Sequence, residues 1–254
     1  MLSIITVTFN SERTLKTTIE SVLNQSISGF EYILIDGSSS DTTIEIIKSY
    51  EVAFKKRNIN YTWISEKDTG IYDAFNKGIR LAKGDWISFL GSDDCYRTNA
   101  LNIYSNVILK TEKKVDLYYS NVDVINKNGE VINTINGIWG WSKFRRFMNI
   151  AHVGAFHNKE YFSNYGFFNT SYKIAGDYEL LLRAKNKLST FKIEETTAKM
   201  ANEGASNHQI SLVFKETLKA KNETADVGFL LCKVDYFIAF FKFKTKQILN
   251  AIIR

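Results

Sequence analysis

Two adjacent carboxylates, Asp93 and Asp94, follow an apolar run from Trp86 to Leu90 and a Gly-Ser turn. Acids at the mouth of a buried strand are costly unless something positive sits on them, usually a metal ion, a cationic ligand or an arginine. One Asp suffices to cap a following helix. Two suit a hard divalent cation with oxygen ligands, and Mg²⁺ typically keeps waters and takes further ligands from substrate phosphates. A nucleotide diphosphate is then a natural co-ligand. Asp36, Glu66 and Asp68 also fall just after apolar runs. Gly70 and Asp73 open the next periodic segment, and a glycine there lets a ligand approach the backbone closely. Asp177 begins a helical pattern carried by Leu180, Leu181 and Ala184, which is the place of an N-cap.

The elements that must position these acids follow from periodicity. Leu2–Thr8, Glu31–Ile35, Tyr61–Ile64 and Trp86–Leu90 read as buried strands. Between them, Leu15, Ile19, Val22 and Leu23 mark one helix after Asn10 or Ser11. Thr42 with Glu45 resembles a capping box for a second, and Ile71–Lys83 is a third, closed by Gly84. In that third helix Asp73, Asn76, Lys77 and Arg80 form a polar stripe opposite Ile71, Phe75, Ile79 and Ala82. Strand–helix alternation with short loops implies right-handed βαβ units and a parallel sheet, whose ligands bind at the carboxyl ends of the strands. The acids at 36, 66, 68, 93 and 94 all fall on that edge. Beyond residue 97 the pattern loosens. A helix near 99–109 and strands at Val115–Ser120 and Phe191–Ile193 are expected. Asn128-Gly129 marks a hairpin between Val122–Ile125 and Val131–Ile135. Trp139–Ile150 is aromatic and basic, a loop or short helix over the site.

Bulk properties fit one elaborated α/β domain. The 254 residues are 44% apolar and 24% charged, with 13 Tyr and 18 Phe, which excludes global disorder. A net charge of +6 with no Lys/Arg block reads as a mildly basic enzyme surface and not a nucleic-acid arm. Cys95 and Cys232 make no metal-ligand pattern and read as free thiols. The apolar N-terminus reads as a first strand and not a signal peptide, and no stretch is long enough for a transmembrane helix. The absence of proline leaves the turns to Gly, Asn, Asp and Ser.

Several segments stand in a specific order: ITVTFNSERTLKTTIESVLNQ at 5–25, YILIDGSSSDTT at 32–43, SEKDTGIYDAFNKGI at 65–79, GDWISFLGSDD at 84–94, and then HVGAF and YKIAGDYELLLR. In order and spacing they resemble a family 2 glycosyltransferase with the GT-A fold, of the bacterial surface-polysaccharide type. The resemblance implies a Rossmann-like, mainly parallel sheet flanked by helices. It implies a domain over 1–222, with 1–97 the nucleotide-sugar half and 98–222 the acceptor half. It further implies that Thr6, Thr8, Phe9 and Glu12 cradle base and ribose, that Asp36 bonds the base, and that Asp68 lines the diphosphate site. Asp93 and Asp94 would hold ribose and metal (Mn²⁺ or Mg²⁺), either being the direct ligand, because Gly91 stands where an acid or amide is usual. Asp177 would be the base of an inverting transfer from a nucleotide-diphosphate sugar, most simply a UDP-sugar, to a glycan or lipid-linked hydroxyl, with Glu179 a weaker alternative. His152 matches a histidine common before the acceptor region; His157 and His208 match nothing and read as surface or packing residues. A dehydrogenase or nucleotidyltransferase is disfavoured because TVTFNSERT lacks a G-x-G-x-x-G. A non-catalytic module is disfavoured by the intact acids.

The last segment, 223–254, reads as a basic amphipathic helix. Val227, Leu230, Leu231, Val234, Ile238 and Phe241 make its stripe, with Lys242, Lys244 and Lys246 following and Lys233 and Asp235 breaking it. Such a helix lies on an anionic membrane surface or packs on its own domain or a partner. The expected setting is cytoplasmic, peripheral at the inner membrane face.

Overall fold

The computed structural model describes residues 1–204, 209–225 and 227–252. Its first half is the expected alternation: β1 (Leu2–Thr8), α1 (Leu15–Leu23), β2 (Phe30–Asp36), α2 (Thr43–Ser49), α3 (Glu51–Lys56), β3 (Asn60–Ser65), α4 (Ile71–Leu81) and β4 (Trp86–Gly91). These strands lie parallel in the order β3-β2-β1-β4. β1 and β2 are buried at every residue, as continuous apolar runs in a covered parallel sheet should be. The sheet order turns around between β1 and β4, and the cleft that such a reversal opens lies beyond their carboxyl ends.

The second half is mixed: β5 (Cys95–Tyr96), α5 (Ala100–Lys110), β6 (Leu117–Ile125), β7 (Val131–Ile135), α6 (Trp141–Phe144), β8 (Ala155–Asn158), α7 (Lys159–Tyr165), α8 (Gly176–Leu182) and β9 (Thr190–Ala201). It continues the same sheet as β4-β8-β6-β9-β5, with β7 paired to β6. The two stretches expected at 115–125 are one strand. β9 runs far past Phe191–Ile193, because its parallel ladder with β6 resumes after a register shift near Ser120–Val122. The Asn128-Gly129 hairpin forms with Gly129 at φ +79°. Two apolar clusters, one either side of the sheet, make the core.

Three local expectations change. Thr42 precedes α2, but its hydroxyl donates to Glu12 at 2.9 Å, so no capping box forms. Gly84 does not close α4 with a left-handed residue. It permits close packing instead, since a Cβ there would lie 2.7 Å from the Met1 carbonyl. In α4, Ile71 faces solvent while Asn76 is buried, exchanging hydrogen bonds with the Phe168 backbone at 2.9 Å in both directions.

The chain ends in two helices, α9 (Ile210–Thr224) and α10 (Phe229–Ile252). The face of α10 that packs inward carries Cys232, Asp235 and Tyr236, and the expected apolar stripe points outward. Leu230 is 81% exposed and Phe241 65%. Asp235 is buried and paired to Arg145 at 2.7 Å and Arg146 at 3.4 Å.

Candidate active site

The acids gather at the carboxyl end of the parallel strands. A cleft of about 500 Å³ is lined by Asn10, Ser11, Glu12 and Arg13 after β1 and by Ser92 and Asp93 after β4, with Thr14 and Asp41 completing it. Asn10 and Ser11 were read only as the start of a helix, and Arg13 and Ser92 were not singled out. Their position directly after strands at the order reversal was the available signal. Arg13 brings positive charge to a wall that is otherwise polar or acidic.

At one side, Asp36 is fully buried and accepts from Ser39 N–H at 3.0 Å and Ser65 Oγ at 2.6 Å. The next residue, Gly37, meets both Asp68 and Phe9: a Cβ there would lie 2.6 Å from Asp68 Oδ2 and 3.4 Å from the Phe9 ring. Phe9 and Asp68 thus meet over the backbone that follows Asp36, and Phe9 is 62% exposed. Thr8 Oγ1 is buried there without a hydrogen-bond partner. Thr6 is sealed in the core and bonded by Tyr32 Oη at 3.1 Å. Glu12 ties Thr42 to the cleft wall.

After β3 the turn closes on its own acids: Gly70 N–H donates to Asp68 at 2.9 Å and Thr69 N–H to Asp73 at 3.1 Å. Gly70 has φ +138°, a conformation side-chain-bearing residues rarely adopt, with open space above it.

Asp93 and Asp94 converge over Gly91. A Cβ at 91 would lie 2.6 Å from Asp94 Oδ2 and 3.0 Å from Asp93 Oδ1, so a side chain there would displace both carboxylates. Asp94 also accepts from Ala201 N–H at 3.0 Å, which ties β9 to the acid pair. Burial, then the charge of Asp93, raises the Asp94 carboxyl to about 7. Burial also raises Asp93, with Glu203 adding to it. Two oxygen-donor carboxylates that resist ionisation together fit a hard divalent cation. Among the described residues no group of three or more His, Cys, Asp or Glu side chains forms a cage, so water and diphosphate would complete the coordination.

Asp177 lies in the first turn of α8. Its Oδ1 accepts from Tyr178 N–H at 2.8 Å, and Tyr72 Oη of α4 stands 3.5 Å away. Although part of its surface is open, surrounding protein raises its carboxyl to about 6. Glu179 is different: it is buried in an ion pair with Arg183 at 2.5 Å and bonded by Thr224. His152 stacks on Phe89 with ring centres 4.9 Å apart and touches His157 at 5.1 Å, and burial holds both well below ordinary histidine values. His157 is fully enclosed, whereas His152 is half-buried and its Nε2 makes no hydrogen bond. His208 lies outside the described residues, as do the side chains of Lys244 and Lys246.

The sequence of residues 3–166 matches the family description "Glycosyl transferase family 2". The chain belongs to this family. It is 30% identical over 241 residues to a PGL/p-HBAD biosynthesis glycosyltransferase of Mycobacterium bovis, covering 91% of this chain and 88% of the relative. It is 30% identical over 132 residues to the Escherichia coli UDP-Glc:alpha-D-GlcNAc-diphosphoundecaprenol beta-1,3-glucosyltransferase WfgD, covering 52% and 49%. S. aureus TarS 1-349 in complex with UDP-GlcNAc shares the fold at TM-score 0.65 and 16% identity, over 92% of this glycosyltransferase and 70% of that chain. The mannosyltransferase PcManGT from Pyrobaculum calidifontis, in complex with GDP-Man and Mn²⁺, does so at 0.66 and 13%, over 92% and 69%. The fold is GT-A, and the protein is a glycosyltransferase of glycan biosynthesis.

Proposed function

We propose that this glycosyltransferase moves a sugar, with inversion, from a UDP-sugar to a hydroxyl of a lipid-linked glycan. The observation that carries the reading is the convergence of Asp93 and Asp94 over Gly91 after β4, where Asp93 lines the cleft, with Phe9 and Asp68 meeting over Gly37 after β2. The unpartnered Thr8 hydroxyl leaves a hydrogen-bonding group for a base or ribose. Asp177 takes the acceptor proton as the acceptor oxygen attacks the anomeric carbon. The bond to the diphosphate breaks on the opposite face, and the nucleotide leaves with the electron pair. A carboxyl raised to about 6 is ionised at neutral pH yet basic enough to accept that proton. A divalent cation held by Asp93 and Asp94 would supply positive charge to the departing diphosphate.

UDP in the donor of the TarS complex and the diphosphoundecaprenol in the WfgD name support these choices of nucleotide and acceptor. On the outer face of α10, Leu230, Val234, Phe237 and Phe241 are exposed between Lys233 and Lys242. An apolar stripe edged by lysines suits the surface of an anionic bilayer, where a lipid-linked acceptor resides. No helix among the described residues is long and apolar enough to cross a membrane.

A thermal-shift series on the full chain with UDP and GDP, each with and without Mn²⁺, tests the donor reading. UDP with Mn²⁺ should stabilise most, by about 2.7 kcal/mol at a hundredfold excess over Kd. A larger response to GDP overturns the choice of base, and no response to either nucleotide overturns the donor site.

A further inference from the structure

The segment that delivers Asp177 has neither helix nor strand over residues 171–175. Its backbone is nonetheless held from two sides. The Glu216 carboxylate of α9, only 6% exposed, accepts from the N–H groups of Lys173 at 2.8 Å and of Ile174 and Ala175 at 2.9 Å each. From α4, Tyr72 Oη donates to the Ile174 carbonyl at 2.5 Å. The Tyr72 ring also fills the space beside Gly176, where a Cβ would come within 2.7 Å. Three N–H donors on one buried carboxylate are charge-assisted bonds, each stronger than a neutral one and all weakened together if the charge is removed.

We propose that Glu216 is a positioning residue: it fixes the 173–175 backbone against Tyr72, sets where the Asp177 carboxylate stands, and so makes the α9–α10 hairpin part of the active site. Its catalytic consequence rests on the reading of Asp177 as the base. Tyr72 from α4 and Glu216 from α9 are the titratable groups that face Asp177 from the elements packed on it. The Glu216 charge adds to burial in raising the Asp177 carboxyl.

Hydrogen exchange on the full chain tests this first in the unaltered protein. The amides of residues 173–175 should exchange as slowly as those inside α9, although they belong to no regular element. In Glu216→Gln, nearly the same shape without the charge, exchange over 171–177 should quicken about tenfold or more while the rest of the chain is unchanged. In protein labelled with ¹³C at Asp carboxyls, the Asp177 signal, identified by its loss in Asp177→Asn, should titrate at lower pH in Glu216→Gln. A helix role that is merely structural would leave that midpoint in place. Fast exchange at 173–175 in the unaltered protein, unchanged or chain-wide exchange in the variant, or an unmoved midpoint overturns the proposal. If Glu216→Gln does not fold, the unaltered protein alone decides. Turnover retained by Asp177→Asn would instead overturn the base reading and leave these readouts standing.

Discussion

At the residue scale, the acid pair carries the clearest consequence. Asp94 titrates near 7 in the fold because burial and then Asp93 oppose its charge. Its folded value lies above the unfolded one, near 3.9. Its contribution to stability is therefore fully present below about pH 4 and is lost as pH rises through 7. Asp94→Asn should raise the Tm of the ligand-free protein at pH 8 by roughly 2–4 °C and abolish the Mn²⁺-dependent response to UDP. An unchanged UDP response moves the ligand role to Asp93. The pair was legible because two adjacent acids after an apolar strand break the ordinary pattern. The reason for Gly91 was not, since it lies in the space that both carboxylates occupy. Tyr72 and Glu216 were also missed. Tyr72 sits on an amphipathic helix where a tyrosine is unremarkable, Glu216 on a helix whose pattern did not announce itself, and the Tyr72 contact spans 102 residues.

At the scale of elements, strands that are buried on both faces declare themselves as continuous apolar runs, so β1 to β4 could be read directly. β9 declared only its apolar start, because its later residues, Glu194 to Thr197, are polar and are recruited by pairing with β6. α9 was missed for a related reason: its buried positions are Glu216, Ala220 and Lys221, which make no apolar stripe. The same logic inverted α10. Its conspicuous stripe is the outer face, and its root is the buried Asp235 with Arg145, while Lys221 donates to the Arg146 carbonyl at 2.6 Å. Removing one partner of a buried pair leaves the other uncompensated. Asp235→Ala should therefore cost about 3–5 kcal/mol in urea unfolding, and a loss below 1 kcal/mol would mean that α10 is not anchored there.

At the scale of the whole molecule, the parallel and mixed halves share one sheet, and the C-terminal helices join the half that carries Asp177. Tyr178, the next residue, donates to the Arg145 carbonyl at 2.6 Å, and Arg145 pairs with Asp235 of α10. α10, whose apolar stripe is exposed, is thus tied to α8, the helix that bears Asp177. Phe237→Glu with Phe241→Glu, both at exposed positions, should abolish flotation with anionic vesicles while leaving Tm unchanged; flotation equal to that of the unaltered chain removes the membrane reading. In the proposed reaction Asp177 accepts the acceptor proton while the acid pair holds the donor. Asp177→Asn, assayed beside the unaltered protein for UDP-sugar transfer and for Mn²⁺-dependent UDP binding, tests it most directly. Turnover should rise through about pH 6 in the unaltered protein, transfer should fall about a hundredfold or more in the variant, and UDP binding should be unchanged. Transfer by Asp177→Asn at the unaltered rate would contradict it.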